Sequence, residues 1–138
     1  METDVYEKQI AHLGFIESII TRMATNSFLL KGWSITLLAA IFALSVKDAN
    51  SQFLLIAYLP IILFWVLDGY FYQQECLYRD LYKKVAADEQ LSEAFTLDPR
   101  SQGVQSKSVL CCAADKTVWP IYALLVILVV LAKAFKQV

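Results

Sequence analysis

Residues 27–71 read SFLLKGWSITLLAAIFALSV, then KDANS, then QFLLIAYLPIILFWVLDGYF. Two apolar runs, residues 27–46 and 52–71, are thus separated by only five residues. Between 32 and 46 stand 15 consecutive uncharged residues, and between 49 and 67 another 19. About 20 helical residues cross a hydrocarbon core of about 30 Å, so each run is close to one crossing. Five residues cannot hold a domain, and the simplest arrangement is a tight transmembrane helical hairpin. A soluble core helix accounts for a single apolar run of about 10 to 14 residues. It does not account for two in succession followed by a third, TVWPIYALLVILVVLA, at residues 117–132.

Composition points the same way. With 138 residues, 58% of them hydrophobic, and a mean hydropathy of +0.51, the chain has no room for a membrane part and a large soluble domain as well. A net charge of -1 gives no overall basic footprint for nucleic acid. The opening METDVYEK lacks the basic region and short apolar core of a cleavable leader, so the first run is expected to serve as its own insertion signal.

Basic residues sort unevenly along the chain. Lys8, Arg22 and Lys31 precede or open the first run; Arg79, Lys83, Lys84, Arg100, Lys107 and Lys116 lie between the second and third; the tip carries Lys47 alone. In a bacterial inner membrane the positive-inside rule then places the N-terminus and residues 72–116 in the cytoplasm. A third crossing would carry Lys133 and Lys136 outside, whereas a re-entrant third run would keep both ends inside.

The hairpin carries a register. With Ala49 as its tip, Lys31 lies 18 residues before and Asp68 lies 19 after, which at about 1.5 Å per residue puts them at one depth. They are expected to pair near the inner leaflet, or else to snorkel separately to the interface. Trp33, Trp65, Tyr70, Phe71 and Tyr72 form an aromatic belt at that level. Both helices continue past it as cytoplasmic stalks. Before the first run, Tyr6, Ile10, Leu13, Ile16, Ile20, Met23 and Ser27 recur at helical spacing. After the second, Phe71, Gln74, Tyr78, Leu81 and Val85 do so, with Glu75 to Arg79 and Asp80 to Lys84 as supporting pairs. The same register brings Arg22 near Glu75 or Arg79. Beyond them ADEQLSEAF prolongs a helix or starts a short one, and TLDPRSQGVQSKS, with Pro99 and Gly103, reads as turn and loop.

Enzymatic chemistry lacks its parts. No nucleophile elbow, phosphate loop, HExxH helix or paired intramembrane carboxylate is present, and one histidine, His12, leaves the intramembrane serines without a base. His12 is expected at the surface. Cys76, Cys111 and Cys112 have neither disulfide-framework nor metal spacing and read as small apolar side chains, so no metal and no cofactor is expected. Gly32, Thr36, Ala39, Ala40 and Ala43 make a small-residue stripe for close packing, against the second helix or against another copy. Three short spans enclose no aqueous path, so transport requires a homo-oligomer, with Ser34, Ile41 and Ser45 as one lining face. The alternative for Ser34 and Ser45 is a hydrogen bond to the preceding turn. Arg100, Lys107 and Lys116 make the linker basic, for an anionic lipid, a phosphate-bearing ligand or a partner, or simply through positive-inside bias.

The segments RMATNSFLLKGW, AYLPIILFWVLDGYF and QECLYRDLYKKV, in that order, resemble small bacterial membrane proteins built from a helix, a hairpin and a later third span. The likeness covers roughly residues 8–85. The plan is similar to that of the SLATT-type membrane effectors of nucleotide-linked anti-phage systems, the group that includes the Hailong system effector. That resemblance implies a membrane-disrupting channel under control of a nucleotide or oligonucleotide. It carries no catalytic residue across, and the linker at 86–116 has no counterpart in it.

The expected fold is therefore an all-α membrane protein. Residues 1–26 form an amphipathic cytoplasmic helix continuing into the hairpin at 27–71; residues 72–116 are stalk and linker; residues 117–138 hold a third transmembrane or re-entrant helix and the tail. The expected function is a non-enzymatic, oligomeric, channel-like effector gated through its cytoplasmic parts. The alternative is a non-conducting membrane anchor that recruits a soluble partner protein.

Overall fold

A computed structural model describes residues 2–47, 51–87 and 95–137, and every regular element in them is helical. Helix α1, Glu2–Lys47, runs unbroken for 46 residues, about 70 Å at the usual rise. It contains no proline, so its hydrogen-bond ladder passes unbroken from the amphipathic part into the apolar part. A 3-10 segment, Ser51–Ala57, leads into α2, Tyr58–Ala87. Pro60 explains the junction. It stands in the first turn of α2, where a missing N–H is tolerated, and it has no N–H with which to carry the α ladder back into 51–57. Two further helices follow, α3 at Val109–Ala113 and α4 at Trp119–Gln137, the latter with Pro120 in its first turn.

Helices α1 and α2 lie side by side and antiparallel. Near one end Gln9 Nε2 donates to the Val85 carbonyl at 2.9 Å, and in the middle Lys31 meets Asp68. Towards the other end Leu38 and Ile41 share a cluster with Ala57 and Ile61, which α4 completes through Tyr122, Leu125 and Val129. A second cluster, Ile16, Leu77, Leu81 and Val85 with Val104, closes the end near the N-terminus. The chain thus has two apolar seams with a charged layer between them.

Both long helices are apolar enough to cross a bilayer: their best windows have mean hydropathy 1.8 and 2.0, with 28% of each window buried. A soluble core helix would hide most of such a window. Here Phe28, Leu44, Leu59 and Ile62 stay more than half exposed, a surface that a soluble monomer rarely presents. These helices point to a membrane protein. The apolar part of α4, Trp119–Phe135, is shorter.

Several expectations change. On α1 the inward positions are Gln9, His12, Ile16 and Ser27, while Tyr6 and Ile10 are exposed. Hydrogen bonding decides this, because the Gln9 amide satisfies a carbonyl in the last turn of α2 that no α2 N–H serves. His12 is fully buried, not at the surface. Its Nε2 lies 3.0 Å from the Thr96 carbonyl and its ring stacks on Phe95 at 4.9 Å. Arg22 is exposed, and Glu75 is held instead by Arg79 of its own helix at 2.7 Å. Asp80 pairs with Lys83, and Lys84 reaches the Gln102 carbonyl at 2.9 Å.

The linker is docked onto α2. Asp98 accepts the Arg100 N–H, Gly103 takes a positive φ of 67°, and Val104 N–H returns to the Pro99 carbonyl, so a compact turn delivers Val104 into the second seam. The tip centred on Ala49 and most of ADEQLSEAF lie outside the described residues.

Candidate functional site

Ser27, Lys31 and Ser34 fall on one face of α1 at spacings of four and three, the geometry that aligns side chains along a helix. Asp68 comes from α2 and Tyr122 from α4. The Lys31 ammonium stands 2.6 Å from Asp68 Oδ2 and donates to Ser27 Oγ at 2.8 Å. Ser27 Oγ in turn donates to Asp68 Oδ1. Asp68 is fully buried, whereas the Lys31 side chain keeps 19% of its surface. Tyr122, also buried, turns its hydroxyl towards Asp68 and Ser34 without a hydrogen bond of ordinary geometry. One buried carboxylate of α2 therefore holds two side chains of α1, with the Tyr122 hydroxyl of α4 turned towards it.

Burying a pair of charges costs several kcal/mol of desolvation per ion, which attraction and hydrogen bonds roughly offset. The pair adds little net stability. What it supplies is register: moving α1 by one residue rotates Lys31 by about 100° and strands Asp68 in an apolar seam. An ionisable residue inside a membrane-length apolar helix is also a place to look for function.

A second contact lies beside the first on α2. Trp65 Nε1 donates to the Ala113 carbonyl at 2.9 Å, and a Cβ at Gly69 would stand 2.6 Å from Ala113 Cβ. Glycine allows α3 to sit directly on α2. Asp115 then turns the chain into α4, its carboxylate accepting the Thr117 N–H at 3.1 Å, a bond that holds this carboxyl below its ordinary range.

The remaining sequence-predicted residues fall in three places. Gly32, Thr36, Ala39, Ala40 and Ala43 all lie on the exposed side of α1, and a Cβ on Gly32 would meet nothing within 4 Å. The stripe therefore does not face α2. Ser34, Ile41 and Ser45 are buried within the chain's own packing, with Ser34 donating to the Leu30 carbonyl at 2.7 Å and Ser45 to that of Phe42 at 2.9 Å. Arg100, Lys107 and Lys116 are exposed and are not gathered together: Arg100 borders one opening with Tyr70 and Tyr78, Lys107 another with Arg79 and Lys83. Cys76 is half-buried, Cys112 buried and Cys111 exposed, and burial pushes the thiols of Cys76 and Cys112 up.

Sequence reasoning missed Tyr122 and the role of Ser27. The lone tyrosine hydroxyl within ALLVILVV and its flanks was the available signal, since a phenol in an apolar run seeks a polar partner. Comparison with protein-family models, curated proteins and solved structures gives no match.

Proposed function

We propose that this chain is the subunit of a homo-oligomeric, channel-like effector of the bacterial inner membrane. In this reading α1 and α2 cross the bilayer as a hairpin, and α4 enters it from the same side. The N-terminus and residues 72–116 lie in the cytoplasm, and events there move the long helices. The supporting observation is the split of α1 into two faces. Its inner face is closed by Leu38, Ile41 and the Lys31 to Asp68 pair, and its outer face is apolar and small-residued, free for lipid and for other copies. The charged layer would act as the latch between a closed and an open packing. The place in anti-phage defence, and a nucleotide or oligonucleotide as the signal, rest on the resemblance of residues 8–85 to SLATT-type effectors.

One observation favours the anchor instead. With Ser34 and Ser45 buried, Thr36 is the one hydroxyl left on the exposed small-residue stripe, and it bonds to the Gly32 carbonyl at 3.0 Å. Purified protein decides between the two. The channel reading expects an oligomer in detergent and ion flux from liposomes, raised by an activating nucleotide. A monomer without flux would sink it. Retention of a soluble protein that is lost on deleting 86–116, with no change in conductance, would establish the anchor.

A further inference from the structure

Between α2 and the segment 105–112 lies an open pocket of about 210 Å³ whose polar lining is mostly donors: Arg79, Lys83, Lys107, Gln73 and Ser106. Its one lining carboxylate is Asp80. Arg79 holds the buried Glu75 carboxylate through Nε at 2.9 Å and one terminal nitrogen at 2.7 Å, whereas Lys83 holds Asp80 only loosely at 3.3 Å, and both side chains of this second pair are more than half exposed. Exposed pairs of this kind are worth about 0 to 1 kcal/mol and exchange readily for a better anion. Lys107 has no ion pair among the described residues. Its backbone is nevertheless fixed, because Gln73 Nε2 donates to the Lys107 carbonyl and lies 3.4 Å from Ser106 Oγ. The result is a guanidinium with one edge turned to Glu75 and its remaining N–H groups unspent, two ammonium groups and a hydroxyl around one space, with the Lys107 backbone held in place before any ligand arrives.

We propose that this pocket binds the phosphate group of a phosphate ester, with Lys107 and Arg79 as its principal contacts. Charge-assisted bonds from the remaining guanidinium N–H groups and from point charges suit a tetrahedral oxyanion, and the volume leaves room for the alcohol it esterifies. Binding would tie α2 to the segment that leads into α3 and α4. Along α2, Gln73 lies about 7.5 Å beyond Asp68 and Lys83 about 22 Å beyond it. The near rim is thus at lipid-headgroup depth if α2 crosses the bilayer, and the far rim is in water. The phosphate can come from either side.

The pocket carries its own reporters, since Cys76 and Cys112 line it while Cys111 is exposed. In a Cys111→Ser background, the full-length protein is labelled with the neutral reagent N-ethylmaleimide in alkaline buffer, because burial pushes both lining thiols up. One arm adds glycerol phosphate to protein in neutral detergent, with chloride at equal ionic strength as control. The other uses vesicles of phosphatidylcholine alone or with about one-third phosphatidylglycerol. Labelling slowed about fivefold at ligand near four times its dissociation constant, by glycerol phosphate but not chloride, and relieved by Lys107→Gln or Arg79→Gln, supports a soluble ester. Slowing only in the phosphatidylglycerol vesicles, relieved by the same variants, supports a lipid headgroup. Protection in neither arm, equal protection by chloride, or protection unchanged in both variants overturns the proposal. The lipid arm rests on the membrane-crossing reading and the soluble arm does not. Neither uses ion flux, so failure here and failure of the channel are separate results.

Discussion

At the residue scale, Lys31 and Asp68 form a pair whose two halves differ in their escape routes. Asp68 has no exposed surface, but the Lys31 side chain keeps 19% of its own and has a four-carbon stem. If Asp68 is removed, the ammonium can swing outward and recover solvation. If Lys31 is removed, the carboxylate stays between α1, α2 and α4 with Ser27 as its remaining hydrogen-bond donor. We therefore expect Lys31→Ala to destabilise by about 3 to 5 kcal/mol, the range for breaking a buried pair. Asp68→Ala should cost only about 1 to 3 kcal/mol, as for a partner lost from a group that can reach water. Equilibrium unfolding of both variants in detergent checks this. Equal losses, or a larger loss for Asp68→Ala, would remove the asymmetry on which the latch depends.

At the element scale, the seating of α3 on α2 depends on one missing methyl group. Alanine at position 69 should gain about 1 kcal/mol in helix propensity. Its Cβ would also stand 2.6 Å from Ala113 Cβ, 3.0 Å from Ala113 Cα and 3.1 Å from Ala113 N, and backbone cannot rotate away as a side-chain tip can. Overpacking of this kind costs about 1 to 3 kcal/mol, so the clash outweighs the gain. Gly69→Ala should lift α3, break the Trp65 to Ala113 bond and speed labelling of the buried Cys112; an unchanged rate would mean that the contact yields freely. This element also marks what the sequence could reveal. Counting from a five-residue tip brought Lys31 and Asp68 to one level, because helical rise is uniform and a short turn fixes the offset. The same counting failed lower down, where residue 9 faces 85 and a tip at Ala49 would set it against 89. Small departures from ideal packing accumulate along a helix of 46 residues. The buried His12, the docked turn at 95–104 and helix α3 were illegible for a different reason. Each is short and is held by local or tertiary hydrogen bonds that leave no periodic trace.

At the scale of the whole molecule, α1 is a rod of about 70 Å that belongs to two environments at once. One side is consumed by α2 and α4; the other carries Gly32, Thr36, Ala39, Ala40 and Ala43, all of them exposed. Larger side chains there should leave the fold of the single chain alone. Substitutions at such exposed positions usually change stability by no more than about 0.5 kcal/mol. Between copies the effect is different. Close helix approach in lipid depends on small residues, since dispersion contacts replace the hydrophobic drive that water would supply. Two leucines would push neighbouring α1 helices apart and remove those contacts along the shared face. We expect the double variant Ala39→Leu and Ala43→Leu to keep its helical circular dichroism and unfolding midpoint while native mass spectrometry shows smaller assemblies, and liposome flux should fall with them. An assembly of unchanged size would mean that this face meets only lipid. The copies would then have to meet through other exposed apolar positions, such as Leu59 and Ile62 on α2 or Ile127 and Val130 on α4.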